Sequence, residues 1–358
     1  MKTDHILIMR FSAMGDVAML VPVVYSLATQ YPALRITVLS RPFARPFFEN
    51  LRPNVGFMEA DVNKEYKGIS GLNALYRRLL AKNFTAVADM HNVLRTNYLR
   101  MRFNVSQFRV AHINKRRVEK HRLIRNTAKV FRPLPSSFHN YADVLDELGY
   151  PIHLEFTSIF PPSGGNLRLL EGRVSDKKLF QQWIGVAPFA AHPGKIYPIE
   201  LMKKVIAQLA KNHPSCRIFL FGGGQRERKL LDEIAADHQQ CVNASAILNG
   251  LSEELILMSH LDVMISMDSA NMHLASVVGT PVVSIWGATH PYGGFMGWNQ
   301  SRDHAVQVSL PCRPCSIYGN KKCERGDLAC LYQIKPEQII EKVEAVLRTP
   351  KTSTAAEA

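Results

Sequence analysis

The pattern that most constrains the fold is an alternation of short apolar strands with amphipathic helices, which runs through the chain twice. The first run has strands at 5–11, 35–39, 55–60 and 85–89 and helices at 16–30, 44–51 and 69–82. The second run has strands at 183–188, 217–221, 263–267 and 282–286 and helices at 198–212 and 225–238. Such an alternation predicts an α/β fold with parallel, doubly wound sheets.

The second run follows a stretch rich in proline and glycine at residues 161–165, which is typical of a linker. A chain of 358 residues is too long for one core, and two domains fall within the usual size range. We therefore expect an N-terminal domain over 1–163 and a C-terminal domain over 164–335. A helix over 336–348 and a small, polar, disordered tail over 349–358 should follow.

The composition predicts a cytoplasmic protein. No apolar run approaches the roughly 20 residues that a membrane-spanning helix needs. The N-terminus lacks the pattern of a secretory signal, because Asp4 and Arg10 bracket a very short apolar stretch. Without such a signal, the six cysteines are expected to be reduced thiols.

Positive charge is concentrated in the first half of the chain. Residues 1–165 contain 23 Lys and Arg against 12 Asp and Glu, which leaves +11 of the total +14. Between residues 95 and 132 there are twelve Lys or Arg residues and one acid, Glu119. The segment is either a solvated face or a surface for an anionic partner such as nucleic acid, a membrane or a phosphorylated substrate.

The first strand runs into a turn and the start of a helix, with Ser12, Met14, Gly15 and Asp16 in succession. Ligands of open α/β sheets bind at this carboxyl edge of the strands. An ionised Asp16 facing a ligand could act as a general base, or it could simply cap the helix.

Two junctions of the second run offer groups for a phosphate. A loop after the strand at 183–188 carries Lys195, a compact cation. The next strand ends in Gly222, Gly223 and Gly224, followed by Gln225, where missing side chains let a ligand approach the backbone. Because this glycine turn is neither a Walker loop nor a dinucleotide-binding fingerprint, it is weak as a motif.

A third junction lies after the strand at 263–267. Asp268 ends the strand, while Ser269 and Ala270 open a helix whose free N–H groups and dipole favour an anion. His273 lies further along the same helix. The alternative is an aspartate cap with a core histidine. Together, however, the three junctions describe a pocket for a nucleoside diphosphate.

Four cysteines, Cys312, Cys315, Cys323 and Cys330, have the spacing C-x₂-C-x₇-C-x₆-C. We name them the four-cysteine cluster. The first pair fits a structural zinc site, whereas the second half lacks the usual short gap. Buried free thiols and disulfides are the alternatives.

The chain resembles glycosyltransferase family 9, the ADP-heptose:lipopolysaccharide heptosyltransferases, from about residue 5 to residue 347. The resemblance rests on the segments at 10–16 and 89–95, the loop ending in Lys195, and the segment at 268–273 with Gly279-Thr280-Pro281. It implies the GT-B architecture, in which two Rossmann-like domains face a cleft. It also implies an inverting reaction without a metal, with the acceptor on the N-terminal domain and the donor on the C-terminal one.

By matching position, the resemblance makes Asp16 the base that deprotonates the acceptor hydroxyl and Lys195 the cation that neutralises the departing diphosphate. It assigns further residues to the donor (Gly222, Gly223, Gly224, Gln225, Glu227, Asp268, Ser269, Ala270 and His273) and to the acceptor (Ser12, Met14, Gly15, His91 and Arg95). Glu227 or Gln225 would reach the ribose. Ala270 and Ala190-Ala191 depart from the family pattern, which commonly has glycine and hydroxyl residues there.

The resemblance implies three partners: an ADP-heptose-like donor, an anionic lipopolysaccharide precursor, and the inner leaflet of the inner membrane, bound peripherally. An anionic acceptor would explain the basic first half. The alternatives are another nucleotide sugar or another cell-envelope acceptor, a member that has lost activity, and a nucleic-acid-binding protein using residues 95–132. A nicotinamide enzyme is disfavoured, because no G-x-G-x-x-G follows the first strand.

Overall fold

The structure is a computed structural model, and it describes residues 4–349. The chain forms two compact units, one of residues 4–116 and 135–159 and the other of residues 117–134 and 160–349. Within these residues, no helix is both long and apolar enough to cross a membrane. Apart from Thr349, the expected disordered tail lies outside the described residues.

Eleven strands occur within the described residues. They are β1 (His5–Met9), β2 (Arg35–Ser40), β3 (Val55–Glu59), β4 (Ala86–Asp89), β5 (Arg109–His112), β6 (Trp183–Ala187), β7 (Arg217–Leu220), β8 (Cys241–Asn243), β9 (Val263–Met267), β10 (Val282–Ile285) and β11 (Ala305–Val306). All the pairings between these strands are parallel. The predicted α/β fold class is therefore confirmed.

The α-helices connect these strands. In chain order they are α1 (Met14–Ala18), α2 (Leu20–Gln30), α3 (Arg45–Phe48), α4 (Gly68–Leu80), α5 (Leu94–Val105), α6 (Arg117–Leu123), α7 (Ser137–Glu147), α8 (Ile199–Asn212), α9 (Gly224–Ala236), α10 (Ala244–Ile247), α11 (Leu251–Ser259), α12 (Ala270–Val277), α13 (Ala329–Tyr332) and α14 (Pro336–Arg348).

The first unit has a five-stranded sheet in the order β3-β2-β1-β4-β5. Its central strand β1 is buried at all five positions, because helices cover both faces of a parallel sheet. Each large apolar side chain buried there contributes about 2 kcal/mol. This packing fixes the end of β1 and therefore the turn that follows it.

The second unit has a six-stranded sheet in the order β11-β10-β9-β6-β7-β8. The chain starts at β6 and moves outward first through β7 to β8, then returns to β9 on the other side. The strand order therefore reverses at β6, and in such sheets ligands bind at the carboxyl end of the strands beside that point. The ends of β6 and β9 are neighbours there.

The units differ from the expected division at 163–164 in two places, because the boundary lies at 159–160 and one earlier segment also belongs to the second unit. Residues 117–134 lie in the first half of the sequence but pack with the second unit. The Lys129 ammonium donates to three carbonyl groups of residues 311–314, and Phe131 packs on His290 and Tyr292. Helix α14 also belongs to that unit, where Ile339 and Val343 join its core.

Candidate functional site

The turn after β1 presents Asp16 to solvent. Its carboxylate Oδ2 lies 2.8 Å from Nη2 of Arg10, and the side chain stays 31% exposed. The N–H of Ala13, the residue that precedes α1, also donates to Oδ2 at 3.3 Å. Asp16 therefore caps its own helix and still remains accessible to a ligand.

Arg10 is the buried anchor of this turn. Its Nη1 donates to the carbonyl of Met90 at 2.5 Å, and its guanidinium lies 5.6 Å from the ring centroid of Tyr141. Burial alone would lower the pKa of Arg10, but Tyr141 and Asp16 hold it above its ordinary value. A fixed cation beside Asp16 stabilises the carboxylate in one orientation.

His91 follows β4 and braces the same turn from the side. Burial, reinforced by Arg10 and Lys115, lowers the pKa of His91 to about 3, so the ring is neutral at physiological pH. Because Nδ1 accepts from the N–H of Phe11 at 3.4 Å, Nε2 carries the proton and donates to Oγ of Ser12 at 3.3 Å. His91 therefore positions the turn and carries no charge for an anion.

The other predicted acceptor residues lie around this turn. Gly15 is buried within α1 and is not among the residues with positive φ, so no left-handed conformation requires glycine there. Met14 is half-buried at the first position of α1. Arg95 is exposed in the first turn of α5, close enough to His91 to contribute to its lowered pKa.

In the second unit, Lys195 and Asp268 form an ion pair at the carboxyl ends of β6 and β9. Lys195 Nζ lies 3.0 Å from Asp268 Oδ2, and the two side chains are 16% and 4% exposed. The pairing follows from the sheet, because β6 and β9 are adjacent and parallel. This ion pair was not predicted from the sequence.

The start of α12 lies directly beside this ion pair. Ser269 is the residue before the helix, with extended backbone, and Ala270 is the first helical residue. Ala270 is not among the residues with positive φ, so alanine fits the backbone at this position where the family commonly has glycine. The first N–H groups of a helix have no partner within it. His273 is buried in the second turn.

The glycine turn after β7 is hydrogen-bonded to the helix that follows it, α9. The N–H of Gly223 donates to Oε2 of Glu227 at 2.7 Å, so this carboxylate caps the start of α9. Gly224 has φ +76°, a conformation that favours glycine, and there is open space beside Gly223 and Gly224. Gln225 is exposed.

The loop that carries Lys195 packs against residues that are distant from it in the sequence, a contact that was not predicted. Gly319 has φ +75°, and a Cβ there would lie 2.4 Å from Cγ of Lys195. The N–H of Ala288 donates to the carbonyl of Gly194 at 2.8 Å. Ala288 in turn accepts from the N–H of Cys315 at 3.1 Å. The region of the four-cysteine cluster thus packs against the loop that carries Lys195.

The arrangement in the second unit can bind a diphosphate. It offers a cation, open glycine backbone and a helix start at the strand edge where the order reverses. Among residues 4–349, as the side chains stand, no three His, Cys, Asp or Glu residues are grouped to hold a metal ion.

Comparison with known proteins agrees with a site for a nucleoside diphosphate sugar. Residues 72–324 match the family model described as "Glycosyltransferase family 9 (heptosyltransferase)". The chain is similar to the lipopolysaccharide core heptosyltransferase OpsX of Haemophilus influenzae, with 26% identity over 292 residues and 79% of each chain covered.

Among solved structures, a glycosyltransferase family 9 protein from Veillonella parvula superposes with a TM-score of 0.71 at 20% identity, covering 97% of this chain and 98% of that one. E. coli heptosyltransferase WaaC with ADP superposes with a TM-score of 0.66 at 17% identity, covering 96% and 99%. At these identities the two structures support the fold.

Proposed function

The chain belongs to glycosyltransferase family 9, and on that premise we propose that it moves a heptose from ADP-heptose to a Kdo or heptose hydroxyl of the lipopolysaccharide inner core. The protein is a glycosyltransferase, as its family is. The proposal adds the donor sugar, the acceptor and the residues that carry the reaction.

The observation that carries the donor site is the buried pair of Lys195 with Asp268. A diphosphate brings negative charge that competes with the carboxylate for the ammonium group. In the proposed complex, Lys195 turns to the diphosphate, and the N–H groups at Ser269 and Ala270 hold a phosphate oxygen. Asp268 is then available to accept hydrogen bonds from heptose hydroxyls.

The transfer step follows from these roles. Asp16 takes the proton of the acceptor hydroxyl, and that oxygen forms a bond to C1 of the heptose. The bond from C1 to the phosphate oxygen breaks, and ADP leaves with the electron pair. Lys195 stabilises the charge that develops on the diphosphate, and attack opposite the leaving group inverts the anomeric centre. In this step Lys195 supplies the positive charge at the leaving group without a metal ion.

We assign acceptor binding to the first unit and donor binding to the second. Ser12, Met14 and Gly15 would form the surface beside Asp16, with His91 holding their turn. Because His91 is neutral, the positive charge for Kdo carboxylates and phosphates must come from exposed cations such as Arg95.

On the donor side, Gly222 and Gly224 with Gln225 would approach the nucleotide. Glu227 would reach the ribose only with the oxygen that does not cap α9.

The acceptor is anchored in a membrane, so the proposed enzyme works in the cytoplasm at the inner leaflet, as a peripheral protein. The basic residues between 95 and 132 support this, because anionic lipid attracts such segments. Sedimentation with vesicles of anionic lipid at low salt tests it. Absence of binding would remove the membrane from the proposal while leaving the transfer reaction intact.

The main test is calorimetric titration of ADP, UDP and GDP, followed by a transfer assay. We expect ADP to bind most tightly, Lys195→Ala to weaken it, and Asp16→Ala to change it little. Lys204→Ala, an exposed lysine on α8, is the matched control. With ADP-heptose and Kdo-bearing lipid A, mass spectrometry should detect one added heptose. Equal affinity for all three nucleotides, or an unmodified acceptor, would refute the assignment.

A further inference from the structure

The four-cysteine cluster surrounds a single cavity. All four side chains line a space of about 20 Å³, together with Ala288 and Arg313. Each cysteine is a free thiol in the structure. Cysteines separated by up to 18 positions in the chain are thus brought to one point by the fold.

One of the four sulfurs lies in a turn built for a thiolate. Backbone N–H groups of residues 325–328 hydrogen-bond to the Cys323 sulfur and can stabilise negative charge on it. Gly326, with φ +79°, allows the turn to fold over the sulfur. The thiolate is the form of cysteine that binds metals.

Arg313 and Lys129 lie beside the cluster, and both are bound to uncharged oxygens. The buried Arg313 guanidinium donates to the carbonyls of Gly287 (2.6 Å), Thr289 (2.9 Å), Trp286 (3.1 Å) and Val308 and to Gln307 Oε1 (3.0 Å). Lys129 Nζ donates to the carbonyls of Arg313 (2.9 Å), Pro311 (3.2 Å) and Pro314 (3.2 Å). Within residues 4–349, neither cation forms an ion pair with an acid.

Buried charge is costly unless it is compensated. A divalent ion held by four thiolates carries a net charge of −2, which is complementary to the cations around the cluster. We propose that the four-cysteine cluster binds one zinc ion as a tetrathiolate site. The four thiol protons pass to solvent on binding, and the thiols rotate into the cavity, since their present orientation does not form a metal-holding group.

The site would also act on the donor loop, a consequence that rests on the proposed function. Between Cys315 and Cys323 the chain passes through Gly319, which packs against the Lys195 side chain. Binding of the ion would fix this segment at both ends and hold Lys195 at the end of β6. The zinc is structural, because all four of its ligands come from the protein.

The test is metal analysis of the full-length protein purified without chelator. We expect about one zinc per chain, and its loss in Cys323→Ser and Cys315→Ser. Cys216→Ser, which changes a buried cysteine outside the cluster, should keep the metal. Replacement of the zinc by cobalt in the wild-type protein should give the absorption of a tetrahedral cobalt thiolate. This measurement does not depend on whether a cysteine variant folds.

Each outcome decides the proposal. Iron at the same stoichiometry, lost in the same variants, would support the site and replace zinc as its ion. Two disulfides in the native protein, or no metal with four titratable thiols, would overturn it. Zinc in a protein that transfers no heptose would refute the proposed function alone, and transfer by a protein free of metal would refute the site alone.

Discussion

Lys195 Nζ lies 3.0 Å from Asp268 Oδ2 at the edge of the second sheet, where Asp268 is buried and Lys195 is partly buried. The carboxylate occupies the position beside the ammonium group that a phosphate of the proposed donor would take. Binding must therefore exchange one anion for another, which makes the affinity for the donor a difference between two electrostatic interactions.

Replacing Asp268 by asparagine should separate nucleotide binding from transfer. We expect Asp268→Asn to bind ADP several-fold more tightly, because the competing carboxylate is gone, while transfer slows because the sugar hydroxyls lose an acceptor. Titration calorimetry with ADP and steady-state kinetics measure the two effects. Asp176→Asn, an exposed aspartate of the same unit, is the control. A loss of ADP affinity in Asp268→Asn would contradict this role.

Removing Lys195 should cost both stability and activity. Lys195→Ala leaves a buried carboxylate without its partner, which we expect to lower the free energy of unfolding by about 3 kcal/mol. Transfer should fall by about 10²–10³-fold. In urea unfolding, the double variant with Asp268→Asn should recover part of the stability but none of the activity. Additive losses in the double variant would show that the two residues do not interact.

Asp16 should matter for chemistry and little for donor binding. We expect Asp16→Asn to lower transfer by about 10²–10⁴-fold, as for loss of a general base, while leaving ADP affinity unchanged. Asp143→Asn is a matched control, since Asp143 also forms an ion pair with an arginine of the first unit, at 3.0 Å. Transfer by Asp16→Asn at the rate of this control would exclude Asp16 as the base.

His91 should make the first unit sensitive to acid. Its folded pKa of about 3 lies below the ordinary value of 6.5 for histidine, so its contribution to stability is complete above pH 6.5 and declines as pH falls toward 3. Between pH 6.5 and 5, wild type should therefore lose about 2 kcal/mol more than His91→Asn. Urea unfolding at a series of pH values measures this, with pH 7–8 as the flat reference. Parallel curves would disprove it.

Glycine should be required at position 319 for two reasons: its backbone is left-handed, and the Lys195 side chain leaves no room for a Cβ. Gly319→Ala would place a Cβ 2.4 Å from Lys195 Cγ, so we expect weaker ADP binding and slower transfer. Gly172→Ala provides the control, because Gly172 has φ +78° and no atom near its Cβ position. Both variants should lose about 1–2 kcal/mol from left-handed strain, but only Gly319→Ala should lose activity. Equal activity would remove Gly319 from the donor site.

The repeated alternation of strands and helices predicted the fold class, because each buried parallel strand is a clear apolar run. Of the four edge strands, β3 was predicted and β5, β8 and β11 were not. In β5 basic residues interrupt the run, and β8 and β11 have only three and two residues. The junctions carrying Lys195 and Asp268 were predicted, whereas their contact depends on β9 lying beside β6, which sequence order does not reveal. Likewise, the hydrogen bond from Gly223 to Glu227 depends on local backbone geometry.

The segment 117–134 has a consequence for how this enzyme can be divided or recombined. Because it packs with the second unit, the chain passes from one unit to the other three times, at 116–117, 134–135 and 159–160. A single cut cannot separate the two units as they fold. A chimera that borrows the second unit of a relative must also exchange the stretch containing Lys129. Otherwise the carbonyls of residues 311–314 face a foreign sequence, and a fragment that starts at residue 160 lacks part of its own structure.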